Sequence, residues 1–215
     1  MKKVFTMLGD YYHPYEWVKA ALDKATESIE EDIEWIEIPT NELASRLRDT
    51  VPAAVILFKE NRVNPQAEHV EHWMTAEIEE VIIDYVSKGG AWLAWHAGLA
   101  SYPEAGSYVE MLKGYFEYHP VEHPMVSYQS VENQIVRTSH DFEIKDEHYF
   151  VHCNTEETNV FLQSVSERGH SIAGWAHGFG KGRVSCLTPA HNKEGLTHSN
   201  FTNILQEVIS WTLLR

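Results

Sequence analysis

A chain of 215 residues with 43% hydrophobic side chains is long enough to bury one well-formed core, so a single domain over residues 1–215 is expected. Its 32 acidic against 17 basic side chains leave a formal charge of −15, which repels phosphate backbones and anionic lipid and argues against nucleic acid or a membrane as partner. No run reaches the ~20 apolar residues of a membrane-spanning helix. The first apolar run meets Asp10 too soon for a signal sequence, and two distant cysteines without CxxC spacing predict free thiols in a cytoplasmic protein.

Lys3 to Leu8 reads as the first strand, and Pro14 opens a helix with Trp17, Val18, Ala21, Leu22 and Ala25 at helical spacing. Ile33 to Ile38 alternates as a half-buried strand, and Thr40 caps a short helix through Leu47. Pro52 to Phe58 reads as a strand buried on both faces. Arg62 to Trp73 has no period and is expected to be an ordered loop over the sheet edge. An amphipathic helix runs from Thr75 to Lys88, with Gly89 and Gly90 where a helix C-terminus favours residues without a Cβ. Ala91 to Trp95 is then the central strand, and the small residues Ala97 and Gly98 let the chain turn sharply at His96. After a helix over Ser107 to Lys113 the α/β alternation fails. The stretch Gly114 to His140 offers only two short strand candidates, Met125 to Val131 and Gln134 to Thr138. Regular order is expected to resume with strands Asn159 to Val165, Ser171 to Ala176 and Arg183 to Thr188, the last two joined as a hairpin through Gly178–Gly182. A closing helix begins near Thr197.

If the sheet is parallel, the carboxyl ends of its strands share one rim, where open α/β sheets bind ligands. The first strand delivers Asp10, Tyr11 and His13 there, the third Lys59 and Glu60, the fourth His96, and the last Thr188, His191 and Asn192. His96 occupies a strand-to-helix turn like that of hydrolase nucleophiles, but an imidazole suits acid–base work rather than acyl transfer. The competing reading is a core histidine satisfied by a backbone carbonyl. Asp146 and Glu147 stand among Phe142, Ile144, Tyr149 and Phe150, so one of the two acids is expected to turn inward. A carboxylate among histidines can orient a base, act as one, or complete a site for zinc, manganese or iron. Without HxH or HExxH spacing, a divalent metal (zinc or manganese) stays open as cofactor.

Four motifs stand in order: Gly89-Gly90 to His96-Ala97, His119-Pro120, Asp146-Glu147-x-Tyr149, and Gly180-Lys181-Gly182-Arg183-Val184 followed by His191. Together they resemble the ThuA-like, or trehalose utilisation, family over the chain from Thr75 to the end. The resemblance implies an α/β, class I glutamine amidotransferase-like fold: a flavodoxin-like, mostly parallel sheet with helices on both faces. It also implies that the amidotransferase cysteine is replaced, here by His96, so glutaminase chemistry is not expected. Where the family often carries a second His-Pro, this chain has Asn133-Gln134, so that side of the pocket differs. The family is tied to catabolism of trehalose and related sugars through 3-keto sugars made by an oxidoreductase partner.

On this reading the substrate is a small carbohydrate, handled by a 3-keto-glycoside lyase or hydrolase or by a sugar isomerase. His96, Glu147 and His191 are the expected catalytic residues, with His96 and Glu147 as acid and base. Asp10, Tyr11, Lys59, Glu60, His119, Asp146 and Tyr149 are expected to bind substrate. The alternative is a catalytically silent sugar- or partner-binding module, and a homo-oligomer is left open.

Overall fold

Every residue of β3 (Ala54–Phe58) and β4 (Ala91–Trp95) is buried, because both faces of the sheet are covered by helices. The computed structural model describes residues 1–214. In it β1 (Lys2–Leu8) lies between β2 (Ile33–Glu37) and β3, β4 follows β3, and β11 (Gly182–Leu187) follows β4. These five strands are parallel throughout. Successive residues of a strand face opposite sides, and each side has its own core. Val4, Ile56 and Leu93 pack under α1 (Tyr15–Thr26) and α5 (Ser199–Leu213) with Val18, Leu22, Phe201 and Leu205. Phe5, Val55 and Trp92 pack on the other side under α2 (Leu43–Asp49), α3 (Ala76–Ser87) and α4 (Ser107–Leu112) with Leu43, Ile82 and Tyr108. Trp17, read as part of the buried face of α1, is instead exposed.

Local signals behave as their chemistry requires. The Thr75 hydroxyl accepts from the Ile78 N–H at 3.3 Å and starts α3. Gly89 ends it with φ of +123°, which a side chain would resist. Gly98 serves close approach, since a Cβ there would stand 2.3 Å from the Leu57 carbonyl oxygen.

Beyond β11 the sheet changes character. β10 (Gly169–Phe179), β9 (Asn159–Ser166), β6 (Met125–Ser130) and β7 (Phe142–Lys145) extend it antiparallel to nine strands, and β5 (Gly114–Tyr118) pairs separately with β8 (Phe150–Cys153). The three strands from β9 to β11 are therefore a meander, not a return to α/β order. Gln134 to Thr138 is not a strand. Asn133 Oδ1 accepts from the N–H groups of Ile135 (2.8 Å) and Val136 (3.2 Å), taking the donors a ladder would need, while both side chains plug the core. Among the described residues no helix is long and apolar enough to cross a membrane.

His177 on β10 gives the fold a pH dependence. Burial pushes its pKa down to about 4, against the hydrogen bond from Nε2 to the Met111 carbonyl at 2.9 Å. A depressed folded-state pKa supplies stability above the unfolded value of about 6.5, and that stability is lost as pH falls toward 4. Urea unfolding at pH 7 and pH 4.5 should therefore show a smaller loss on acidification in His177→Gln than in the wild type. Equal losses would remove His177 from the acid response.

Candidate metal centre

The turn after β4 is a single 3₁₀ turn, His96–Leu99, entered with His96 at φ +47°, a left-handed conformation uncommon for any residue with a side chain. It leaves the imidazole fully buried, stacked on Tyr149 at 4.3 Å, with Nδ1 donating to the Thr188 carbonyl at 2.6 Å just past the end of β11. After β1 the chain folds back on Asp10. Asp10 Oδ1 accepts from the N–H of Tyr12 (3.0 Å) and of His13 (3.1 Å) and from His13 Nδ1 (2.6 Å), while Oδ2 accepts from the Glu60 N–H at 3.0 Å. The loop after β11 is tied by Asp146, whose Oδ1 accepts from the N–H of His191 at 2.9 Å and of Asn192 at 3.4 Å.

These anchors bring four side chains from four segments to one point. One ligand atom from each of His13, His96, Glu147 and His191 lies within 4.8 Å of all the others. His13 Nε2 is 2.9 Å from His191 Nδ1, His191 Nδ1 is 3.2 Å from Glu147 Oε2, and His96 Nε2 is 3.5 Å from the same oxygen. Ligand atoms about 2.05 Å from a tetrahedral ion are roughly 3.3 Å apart, so the spacing suits a first-row divalent metal. The tautomers agree. With Nδ1–H given to Asp10 and to Thr188, His13 and His96 each turn an unprotonated Nε2 inward, the second-shell pattern of metal-bound histidines. His96 Nε2 carries no proton for Glu147 and is buried with no hydrogen-bond partner among the described residues, an expense that a metal would remove. Three imidazoles and one carboxylate form a set accepted by zinc, manganese or iron.

The charges follow the same geometry. Burial pushes the His96 pKa down to about 4, against the pull of Glu147. Burial also opposes charge on Glu147, but His191 outweighs it and holds the carboxyl well below the usual range; Glu147 in turn raises the pKa of His191 despite burial. Burial likewise opposes ionisation of Asp10, and His13 outweighs it. The second Glu147 oxygen faces His119 Nε2 and His123 Nε2, each at 3.7 Å.

A cavity of about 410 Å³ opens in front of the centre, lined by His13, Glu60, His119, Glu147, Tyr149 and His191 among others. A second of about 550 Å³ adjoins it over the ends of β1 to β3, lined by Asp10, Tyr11, Lys59, Glu60, Arg62 and Trp73. His96, Glu147 and His191 thus come together, as the sequence led one to expect, while their neighbours divide by position. His119 and Tyr149 face the first cavity, Tyr11 and Lys59 the second, and Glu60 both. Lys59 Nζ donates to the Gly9 carbonyl, and burial lowers its pKa. Asp146 lines neither cavity: it is fully buried, its pKa pushed up to about 7 by burial, and it holds the His191 loop instead of a substrate. His13, which the sequence places on the rim without a role, is the fourth member. Asp10 three residues before it, a carboxylate able to fold the chain back on itself, is the signal that could have raised it.

A family model described as trehalose utilisation (ThuA) matches residues 12–212. The chain belongs to the ThuA family. Among solved structures it is similar to a putative ThuA-like protein from Parabacteroides merdae ATCC 43184, with 11% identity, a TM-score of 0.72, and coverage of 99% of this chain and 90% of that one. A cytoplasmic protein from Salmonella typhimurium LT2 shares 14% identity at a TM-score of 0.64 over 99% of each chain. A β-galactosidase from Rahnella sp. R3 shares 13% at a TM-score of 0.61, the likeness covering 100% of this chain and 32% of that one. At such identities the likeness speaks for the α/β fold alone. No curated protein matches the chain. Within the ThuA-family chain, the motif residues His96, His119, Glu147 and His191 all border one cavity or belong to the cluster of candidate metal ligands behind it.

Proposed function

We propose that this chain is a metal-dependent enzyme of sugar catabolism, acting in the cytoplasm on a neutral 3-keto glycoside supplied by an oxidoreductase. The observation that carries the reading is the convergence of His13, His96, Glu147 and His191, with His96 Nε2 unpartnered among the described residues, behind a cavity of about 410 Å³ that His13, Glu147 and His191 line. A divalent ion held there would supply Lewis acidity for an oxygen that gains negative charge. His96 and Glu147 are then ligands, and the proton-moving role passes to His119. Its Nδ1 is held by the Pro120 carbonyl at 2.8 Å, which leaves Nε2 free at the cavity. His119 Nε2 takes the C2 proton, acidified by the adjacent ketone, and the C–H electron pair moves toward the carbonyl, whose oxygen takes the charge. Collapse re-forms the carbonyl, makes a C1=C2 double bond and expels the C1 substituent, which recovers the proton from His119.

The test is metal analysis of the purified protein together with turnover of a 3-keto glucoside. About one equivalent of zinc or manganese is expected, with turnover lost on chelation and restored by the ion. A protein that takes up no transition metal would overturn the metal assignment. A loaded protein without turnover of 3-keto glycosides would leave the silent binding module.

A further inference from the structure

Glu60 follows β3 in the wall shared by the two cavities. It is 2% exposed, and its Oε2 accepts from Arg62 Nε at 2.7 Å and from the Ser101 hydroxyl at 3.0 Å. Its Oε1 is buried with no partner among the described residues. A buried carboxylate oxygen left without a donor is costly and persists where something else supplies the donor. The support around it is also strained. Ser101 reaches Glu60 from a left-handed backbone, φ +67°, with its carbonyl held by Asn61 Nδ2 at 3.3 Å. Strain of this kind is kept where the surroundings impose it, commonly at ligand clamps.

We propose that Glu60 is the hydroxyl anchor of the site. Its carboxylate, oriented by Arg62 and Ser101, accepts a hydrogen bond through Oε1 from a neutral polyhydroxylated ligand lying across both cavities. This rests on the carbohydrate reading above and narrows it. A carboxylate can only accept, so the ligand must bring a donor. Arg62 already balances the charge of Glu60, so a hydroxyl is favoured over an ammonium. Asp10, bonded to the Glu60 N–H, and Glu37 line the second cavity with Glu60 against Lys59 and Arg62, and this excess of acid over base disfavours phosphorylated or carboxylated sugars.

Calorimetric titration of the metal-loaded protein with α,α-trehalose and with its 6-phosphate tests the anchor. Wild type should bind the neutral sugar at least about tenfold more tightly than the phosphate. Glu60→Gln turns a donor toward the ligand hydroxyl and should weaken trehalose binding by about 10- to 100-fold with metal content unchanged, the range expected for a hydrogen bond to a charged group. Ser101→Ala touches no metal ligand and should weaken it several-fold; should Glu60→Gln fold poorly or lose metal, this variant decides. If wild type binds neither sugar, the anchor is overturned, and the carbohydrate reading stands or falls on turnover of the 3-keto glucoside alone. If wild type binds trehalose while the deciding variant binds it equally well, or if the phosphate binds better, the anchor alone is overturned.

Discussion

A His96→Ala variant is expected to remain folded but to purify without metal. Apparent binding free energies of about 10–16 kcal/mol for four-ligand zinc sites correspond to about 3–4 kcal/mol per ligand, so loss of one should weaken the metal by roughly 10²- to 10³-fold. His96 is a sensitive probe because its Nε2 has no partner among the described residues while Nδ1 is fixed on Thr188. If turnover requires the ion, it should disappear with it, and adding Glu147→Gln should then cost little more, since members of one unit do not add. Thermal stability offers a check that needs no substrate. A ligand bound only by the folded state at 100 times its Kd contributes about 2.7 kcal/mol, so zinc should raise the melting temperature of the wild type and leave that of His96→Ala unmoved. Emission spectrometry giving a full equivalent of metal in His96→Ala would exclude this residue as a ligand.

The parallel half of the fold was legible because its signals are local. β3 and β4 are uninterrupted apolar runs, α3 carries both the helical period and its Thr75 cap, and the turn at His96 is announced by the small residues that follow. The antiparallel half was not. β5, β7 and β8 are four or five residues each, too short for alternation to stand out, and the apolar Ile135 and Val136 mimic a strand whose donors Asn133 has already claimed. The site was legible in part for a related reason. Its four ligands lie at positions 13, 96, 147 and 191 on separate segments, so no local spacing betrays a metal, and only the shared rim of a parallel sheet brings three of them under suspicion. For Asp146 and Glu147, neighbours on the connection between β7 and β8, the sequence could say that one turns inward. In the fold both are committed, and both meet His191: Asp146 at its backbone N–H, holding the loop, and Glu147 at its ring, in the centre.

That division makes Asp146→Ala the second substitution with a large expected effect, acting through position and not through contact with substrate. Asp146 is fully buried, its Oδ1 accepts from the N–H of His191 and Asn192, and its Oδ2 accepts from the Tyr128 hydroxyl at 3.3 Å. Truncation leaves the buried Tyr128 hydroxyl and the two part-buried N–H groups without this acceptor, at about 1–3 kcal/mol for each group, so a loss of at least about 3 kcal/mol is expected in urea unfolding. The loop it releases carries His191, so metal affinity should fall as well, by the 10- to 100-fold usual when a ligand's support is removed. Asp146→Asn separates the two roles the carboxylate could play. Its amide oxygen still accepts from the loop, and its NH₂ can donate to the Tyr128 oxygen, so stability and metal affinity should stay near wild type if position is what matters. Should Asp146→Asn lose metal as severely as Asp146→Ala while remaining as stable as wild type, the charge of Asp146 itself would be what the centre requires, and the positioning role would be wrong.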